Sequence, residues 1–333
     1  MTLPSPLRYL SAADVRAAMP AIPERLVLAE ETLRGLAAGA ELPPKIGVHP
    51  RPDGAFAHAM PAFMAGAAAD GSADRLGMKW VLGFATNDVL GLPAIHGLLL
   101  LNDPATGVPT AILDAGPITA QRTAAISGVA IRAFAPPVAG RGPRVALVGA
   151  GVQGRSHVPV LGHVLAGLEL AVFDRDPGRA AALAEEARAT HGVAAARAAA
   201  SAREAVDGAD VVVTAASFLP PPERQVMTNG WLTADALVVP VDYATYCAAE
   251  VARAAALFLV DHTAQFLANR DAGQFDGYPD PTAMIGEALA ARTPRPGGRV
   301  VTTHLGTGLA DVVFGAAILA AAEARGLGTI LAR

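Results

Sequence analysis

One short run constrains this chain more than any other. Gly149-Ala150-Gly151-Val152-Gln153-Gly154 sits between an uninterrupted apolar run, Val145–Val148, and a helix expected over Gln153–Ala166. In a strand–turn–helix setting, the first glycine permits the tight turn and the second lets a backbone come close to a pyrophosphate. The third allows close helix–strand packing, and the helix N-terminus faces the anion. The second strand, Leu170–Phe173, ends at Asp174, where an acid can accept from both hydroxyls of a ribose. An acid there repels a 2′-phosphate and favours NAD, while Arg175 beside it keeps NADP as the alternative.

The alternation continues beyond the loop. Apolar strands are expected at Val211–Thr214, Leu237–Val241, Leu257–Val260 and Val300–Thr302, with helices at Arg175–Thr190 and Thr263–Arg270. Continuous apolar runs of this length suit strands covered on both faces, so the fold class is α/β: a Rossmann-type doubly wound parallel sheet. The preceding residues open with a helix expected over Ala12–Ala38. Short strand-like pieces bounded by Pro and Gly follow, such as Pro43–Val48, and suggest an α+β domain. A turn-rich stretch, Ala135–Pro143, leads into the first sheet strand. The last segment, Gly308–Arg325, reads as one Ala-rich helix.

Composition narrows the function classes. The net charge of −4 and the absence of any Lys/Arg cluster leave nucleic acid without a basic surface to meet. A lone Cys247 forms no internal disulfide, and the opening Met1–Pro6 lacks a basic segment before an apolar run. The expectation is a soluble cytoplasmic protein with no membrane or metal partner. His157 and His163 are six apart, and no Cys/His ligand spacing occurs. Of 26 basic residues only Lys45 and Lys79 are lysine.

A second set of motifs is more specific than the glycine loop. Met60-Pro61-Ala62, Lys79-Trp80-Val81, Asn87, Gly91-Leu92-Pro93, Gly107-Val108-Pro109, Thr119–Ala125 and Gly306–Asp311 follow in order. With them the chain resembles the ornithine cyclodeaminase/mu-crystallin family over essentially its whole length. The resemblance implies a homodimer with a substrate and dimerisation domain, residues 1–122 and 309–333, closed by the C-terminal helix. It also implies a dinucleotide domain over residues 123–308. The substrate is then a small amino or imino acid, with its carboxylate held by Lys79 and Arg122, and Arg122 also touching the cofactor.

Chemistry supports those roles. Hydride exchange at a carbon next to a carboxylate requires that carboxylate to be clamped, and fixed cations do this best. Lys79 and Arg122 are the expected clamp, joined by Lys45, His58 and Thr307 on the substrate side. Asp242, at the carboxyl end of Leu237–Val241, matches the family's acid/base residue, and Lys79 is counted with it as catalytic. The expected cofactor-binding set is Arg122, Thr123, Gly149, Gly151, Val152, Gln153, Asp174, Arg175, Thr214 and Gly306.

Three positions depart from the family's pattern. Tyr246 stands where cyclodeaminases have a lysine that reaches the cofactor, His58 where they have a glutamate, and Lys45 where an arginine is usual. The partial loss of protonation partners favours the simpler half of the cyclodeaminase cycle: an NAD(P)-dependent oxidoreductase acting on a C=N or C–N bond, an imino-acid reductase or amino-acid dehydrogenase. An ornithine- or lysine-type cyclodeaminase with recycled NAD is the alternative, and a non-catalytic binding protein of the mu-crystallin kind is the third. Phe56, Phe63, Phe218 and Tyr246 are candidates for the pocket wall, and His96 for a cleft residue.

Overall fold

The computed structural model describes residues 6–332 apart from 53, 67–70, 72 and 220. The reading of Met1–Ser5 as free of a leader lies outside them. Two compact units emerge, one of Met1–Arg122 with Gly306–Arg333 and one of Thr123–Leu305.

The chain begins with β1 (Leu7–Leu10), α1 (Ala12–Ala17) and α2 (Ile22–Ala37). The single helix expected over Ala12–Ala38 is therefore two. Pro20 lacks an N–H and disfavours helical backbone at Met19 before it, whereas Pro23 falls in the first turn of α2, where a missing N–H costs nothing. Strands β2 (Ile46–Val48), β3 (Phe56–Met64), β4 (Arg75–Gly83), β5 (Ile95–Asn102) and β6 (Pro109–Asp114) follow. Helix α3 (Ala115–Phe134) comes next.

The middle of the chain runs β7 (Arg144–Val148), α4 (Val152–Val164), β8 (Leu168–Phe173), α5 (Pro177–Arg188), β9 (Val193–Ala198), α6 (Ala202–Val206) and β10 (Val211–Thr214). It continues with β11 (Leu237–Pro240), α7 (Ala249–Arg253), β12 (Leu257–Val260), α8 (Thr263–Asp271), β13 (Ala283–Met284), α9 (Ile285–Ala290) and β14 (Val300–Thr303). Helix α10 (Gly308–Ala324) and β15 (Thr329–Leu331) close it.

The first unit is built on a seven-stranded sheet in the order β15-β1-β6-β5-β4-β3-β2. Strands β2 to β6 pair antiparallel with their chain neighbours. Side chains alternate between faces. One face carries Met60, Lys79, Val81 and Leu99, all buried, under α10, which packs on β3, β4 and β5. The other face carries a directly paired row, Ile46, Ala59, Trp80 and Leu98. Ile46 is 65%, Leu98 46% and Trp80 37% exposed, so this apolar face is open in the single chain.

The second unit holds an eight-stranded parallel sheet in the order β13-β12-β14-β11-β10-β7-β8-β9. It is doubly wound, with the order reversing where β7 lies between β8 and β10. Ligands bind such sheets outside the carboxyl ends of the strands at that reversal. Val211, Val212 and Val213 are fully buried, each contributing about 1.5–3 kcal/mol by leaving water. Helix α5 starts at Pro177, two residues later than expected, because the Asp176 side chain caps it by accepting from the N–H groups of Gly178 and Arg179.

Candidate active site

The glycine loop follows β7 at the reversal point. Gly149 has φ of 110°, a left-handed conformation that favours glycine, and its N–H donates to Phe173 O at 2.7 Å. A Cβ at Gly154 would stand 2.0 Å from Gly149 O, so the first turn of α4 packs on the loop only as glycine. At Gly151, by contrast, a Cβ would meet no atom within 4 Å among the described residues. The concave backbone there opens outward at the N-terminus of α4, beside the exposed Val152 and the half-buried Gln153. Asp174 Oδ2 accepts from Ala150 N at 2.7 Å and Oδ1 from Asp176 N at 2.9 Å, which fixes the carboxylate at the rim of the loop; Arg175 is exposed next to it. This arrangement fits a dinucleotide: amide groups and a helix N-terminus for the pyrophosphate, a fixed carboxylate for the ribose.

Asp242 follows β11 at the same sheet edge and is 3% exposed. Its Oδ1 accepts from Thr214 Oγ1 at 2.8 Å and its Oδ2 from Ala216 N at 3.2 Å, tying the ends of β10 and β11 together. Burial pushes the carboxyl up to about 7, against the lowering effect of Thr214 and of the N–H groups of Ala216, Asp242 and Tyr246. Thr214, expected among the cofactor contacts, thus acts on Asp242 through its hydroxyl. Tyr243 takes a left-handed φ of 59° and stacks on Phe275, while Phe218 meets it edge-on; Tyr246 is 8% exposed.

In the first unit, Lys79 and Arg122 converge on one carboxylate. Lys79 Nζ lies 2.5 Å from Asp311 Oδ2 and Arg122 Nε donates to Asp311 Oδ1 at 3.2 Å, all three side chains being at least 95% buried. Burial pulls the Lys79 amine down to about 8; Asp311 works against that, and Arg122 and Lys45 add to it. Lys45 likewise lowers His58, whose imidazole falls to about 4 chiefly through burial, so His58 is neutral at pH 7. His58 stacks on Phe56 with ring centroids 4.6 Å apart. Thr307, expected on the substrate side, is fully buried and caps α10 by accepting from Ala310 N. Thr123 is buried in α3. His96 is exposed, 3.3 Å from the Asn87 amide. Among the described residues no group of three or more His, Cys, Asp or Glu could hold a metal, and no helix is long and apolar enough to cross a membrane.

A model of the ornithine cyclodeaminase/mu-crystallin family matches residues 10–315. The chain belongs to that family. The nodulation efficiency protein NfeD of Rhizobium meliloti is 35% identical to this cyclodeaminase/mu-crystallin chain over 334 residues, covering 98% of it and 99% of NfeD. The Δ1-pyrroline-2-carboxylate/Δ1-piperideine-2-carboxylate reductase of Azospirillum brasilense is 31% identical over 253 residues, 75% of this chain and 74% of the reductase. The structure of Thermococcus litoralis Δ1-pyrroline-2-carboxylate reductase with NADH and L-proline matches with a TM-score of 0.83 at 25% identity, covering 97% of this family member and 100% of that chain.

Two features escaped the sequence reading. Asp311 was part of a family motif but had no role, although an acid inside the apolar run Gly308–Ala322 is a signal in itself. The second is a buried chain in the dinucleotide unit. Ser127 Oγ lies 2.8 Å from both His157 Nε2 and His304 Nε2, and His157 Nδ1 meets Gln153 O at 2.7 Å. A carbonyl only accepts, so His157, held neutral by burial, carries its proton on Nδ1; the Ser127 hydroxyl then donates to His157 Nε2 and accepts from His304. His157, weighed in the sequence only for metal-ligand spacing with His163, therefore braces the first turn of α4.

Proposed function

We propose that this chain is an NAD(P)-dependent oxidoreductase acting on the C=N or C–N bond of a small imino or amino acid, in the direction of an imino-acid reductase. The observation that carries this is the buried cluster around Asp311: two cations, Lys79 and Arg122, share one carboxylate, with all three side chains at least 95% buried. Two buried cations on a single carboxylate suit a second anion, and a substrate carboxylate meets the need with charge-assisted hydrogen bonds.

Lys79 and Arg122 hold the carboxylate, and Lys45 adds its charge from the residue before β2. The dinucleotide, when bound along Gly149–Gly154 with its ribose at Asp174, supplies the hydride. Asp242 handles the proton at the substrate nitrogen. A group titrating at about 7 is populated in both forms near neutrality, which suits a general acid that must be recharged each cycle. His58 stays neutral and acts as a hydrogen-bonding contact. The fixed Asp174 carboxylate favours NAD over NADP. The open row Ile46, Ala59, Trp80 and Leu98 belongs to the contact with a second copy of the chain. A buried single Cys247 is compatible with a reducing compartment, and the cytoplasm is the proposed location.

Incubation with NADH or NADPH and Δ1-pyrroline-2-carboxylate or Δ1-piperideine-2-carboxylate tests the reading through loss of the reduced-nicotinamide absorbance. Turnover supports it. Release of ammonia from ornithine or lysine without net change in NADH would replace it with a cyclodeaminase, and tight cofactor binding with no turnover of any amine or imine would replace it with a binding protein.

A further inference from the structure

We propose that Asp311 is the positioning residue of the anion clamp: one buried carboxylate that aims Lys79 and Arg122 and keeps the Lys79 ammonium charged. This deepens the reading above, in which those two cations hold a substrate carboxylate.

The geometry begins with α10. Thr307 caps the helix, and Asp311 projects from its first turn, fully buried, into the sheet face that carries Lys79. Lys79 comes from β4 and Arg122 from α3, so three separate elements meet at one carboxylate. Each oxygen has its own cation: Oδ2 takes Lys79 Nζ at 2.5 Å, and Oδ1 takes Arg122 Nε at 3.2 Å. Arg122 is engaged through Nε, so its Nη edge is directed away from Asp311. That edge lies against Gly306, where a Cβ would stand 2.7 Å from both Nη1 and Nη2. The bare backbone at Gly306 and the carboxylate of Asp311 therefore bracket the guanidinium from two sides.

Electrostatics gives the arrangement its purpose. In the first unit the charged groups acting on Lys79 are Asp311 from α10, Arg122 from α3 and Lys45 from the segment before β2; Thr119 Oγ1 of α3 lies 3.5 Å from the amine. Two of the three charges oppose an ammonium, and burial opposes it further. Among the described residues Asp311 alone favours it. Without that carboxylate a fully buried amine between two cations sheds its proton near neutrality, and a neutral amine no longer attracts a carboxylate.

With only two lysines in the chain, the test is direct. Protein labelled with 13C and 15N in lysine gives two side-chain signals, assigned through Lys45→Arg, and their titration is followed in wild type and in Asp311→Asn. The expected result is a Lys79 titration near 8 in wild type, displaced to lower pH in Asp311→Asn and restored at least in part by Asp311→Glu. Where turnover is observed, KM for the imino acid should rise about tenfold or more in Asp311→Asn at high pH and return toward wild type as the pH falls, with kcat little changed. An unchanged Lys79 titration in folded Asp311→Asn, or a KM ratio constant across pH, overturns the proposal. If Asp311→Asn does not fold, Asp311→Ala, which removes the carboxylate without leaving an amide, makes the same comparison with wild type. Absence of turnover in wild type, with the titration shift present, removes the proposed function and leaves Asp311 in its role.

Discussion

Asp242→Asn separates the cost of a buried carboxylate from its use. The fold holds the Asp242 carboxyl at about 7, against an ordinary 3.8. At about 1.36 kcal/mol per tenfold change in proton affinity, the ionised form is disfavoured by roughly 4 kcal/mol relative to an exposed aspartate. Because the folded value is the raised one, the associated stability is complete below the unfolded value of 3.8 and is lost as pH rises through 7. Between pH 5.5 and pH 8 this one group removes about 2 kcal/mol, or roughly 4–8 °C in Tm for a unit of this length. Asparagine does not titrate, so that slope should vanish. The gain at pH 8 is smaller than 4 kcal/mol, since the amide can accept from Thr214 Oγ1 but turns an N–H toward Ala216 N, a mismatch costing about 1–3 kcal/mol. Thermal melts of both proteins across this pH range, with kcat measured in parallel, check the reasoning. A wild-type Tm slope that persists in Asp242→Asn would refute the placement of the charge, and unimpaired kcat would refute its catalytic use.

Other consequences follow from single contacts. Gly154→Ala should abolish NADH binding, read by fluorescence titration, because its Cβ would stand 2.0 Å from Gly149 O and the loop must move. Trp80→Asp with Leu98→Asp places two charges on the open sheet face; light scattering should then report a monomer against the dimer proposed for wild type, and a monomeric wild type would remove that contact. Lys45→Arg should lower turnover, since a planar fork replaces a compact ammonium, and wild-type kinetics in that variant would show the exchange to be neutral.

The dinucleotide unit was largely legible from sequence. β10 and β12 coincide residue for residue with the expected Val211–Thr214 and Leu257–Val260, because strands buried on both faces must be continuously apolar and neighbouring turns bound them. The first unit was less so. β3 contains Pro61 and β4 contains Gly77 and Gly83, residues that argue locally against strands nine residues long, and α3 begins with Gly116 and Pro117. There the tertiary sheet overrides local preference. For the candidate site, the glycine loop, Asp174 and the cation pair could be singled out from local motifs, whereas the link from Thr214 to Asp242 and the Ser127 chain could not, since their partners lie 28, 30 and 177 residues apart.

What the sequence determined by itself is whatever a few consecutive residues enforce. The backbone path of Gly149–Gly154, the acid ending the second strand and the scarcity of lysine need no distant partner to be read. The tertiary structure decided where charge is balanced. Asp311 is 189 residues from Arg122, and only the packing of α10 onto β4, with Arg122 reaching in from α3, turns an acid in a largely apolar helix into the counter-ion of both cations. Electrostatic interaction depends on distance and burial, neither of which is written in sequence spacing, so the loop was legible and the clamp became so only once folded.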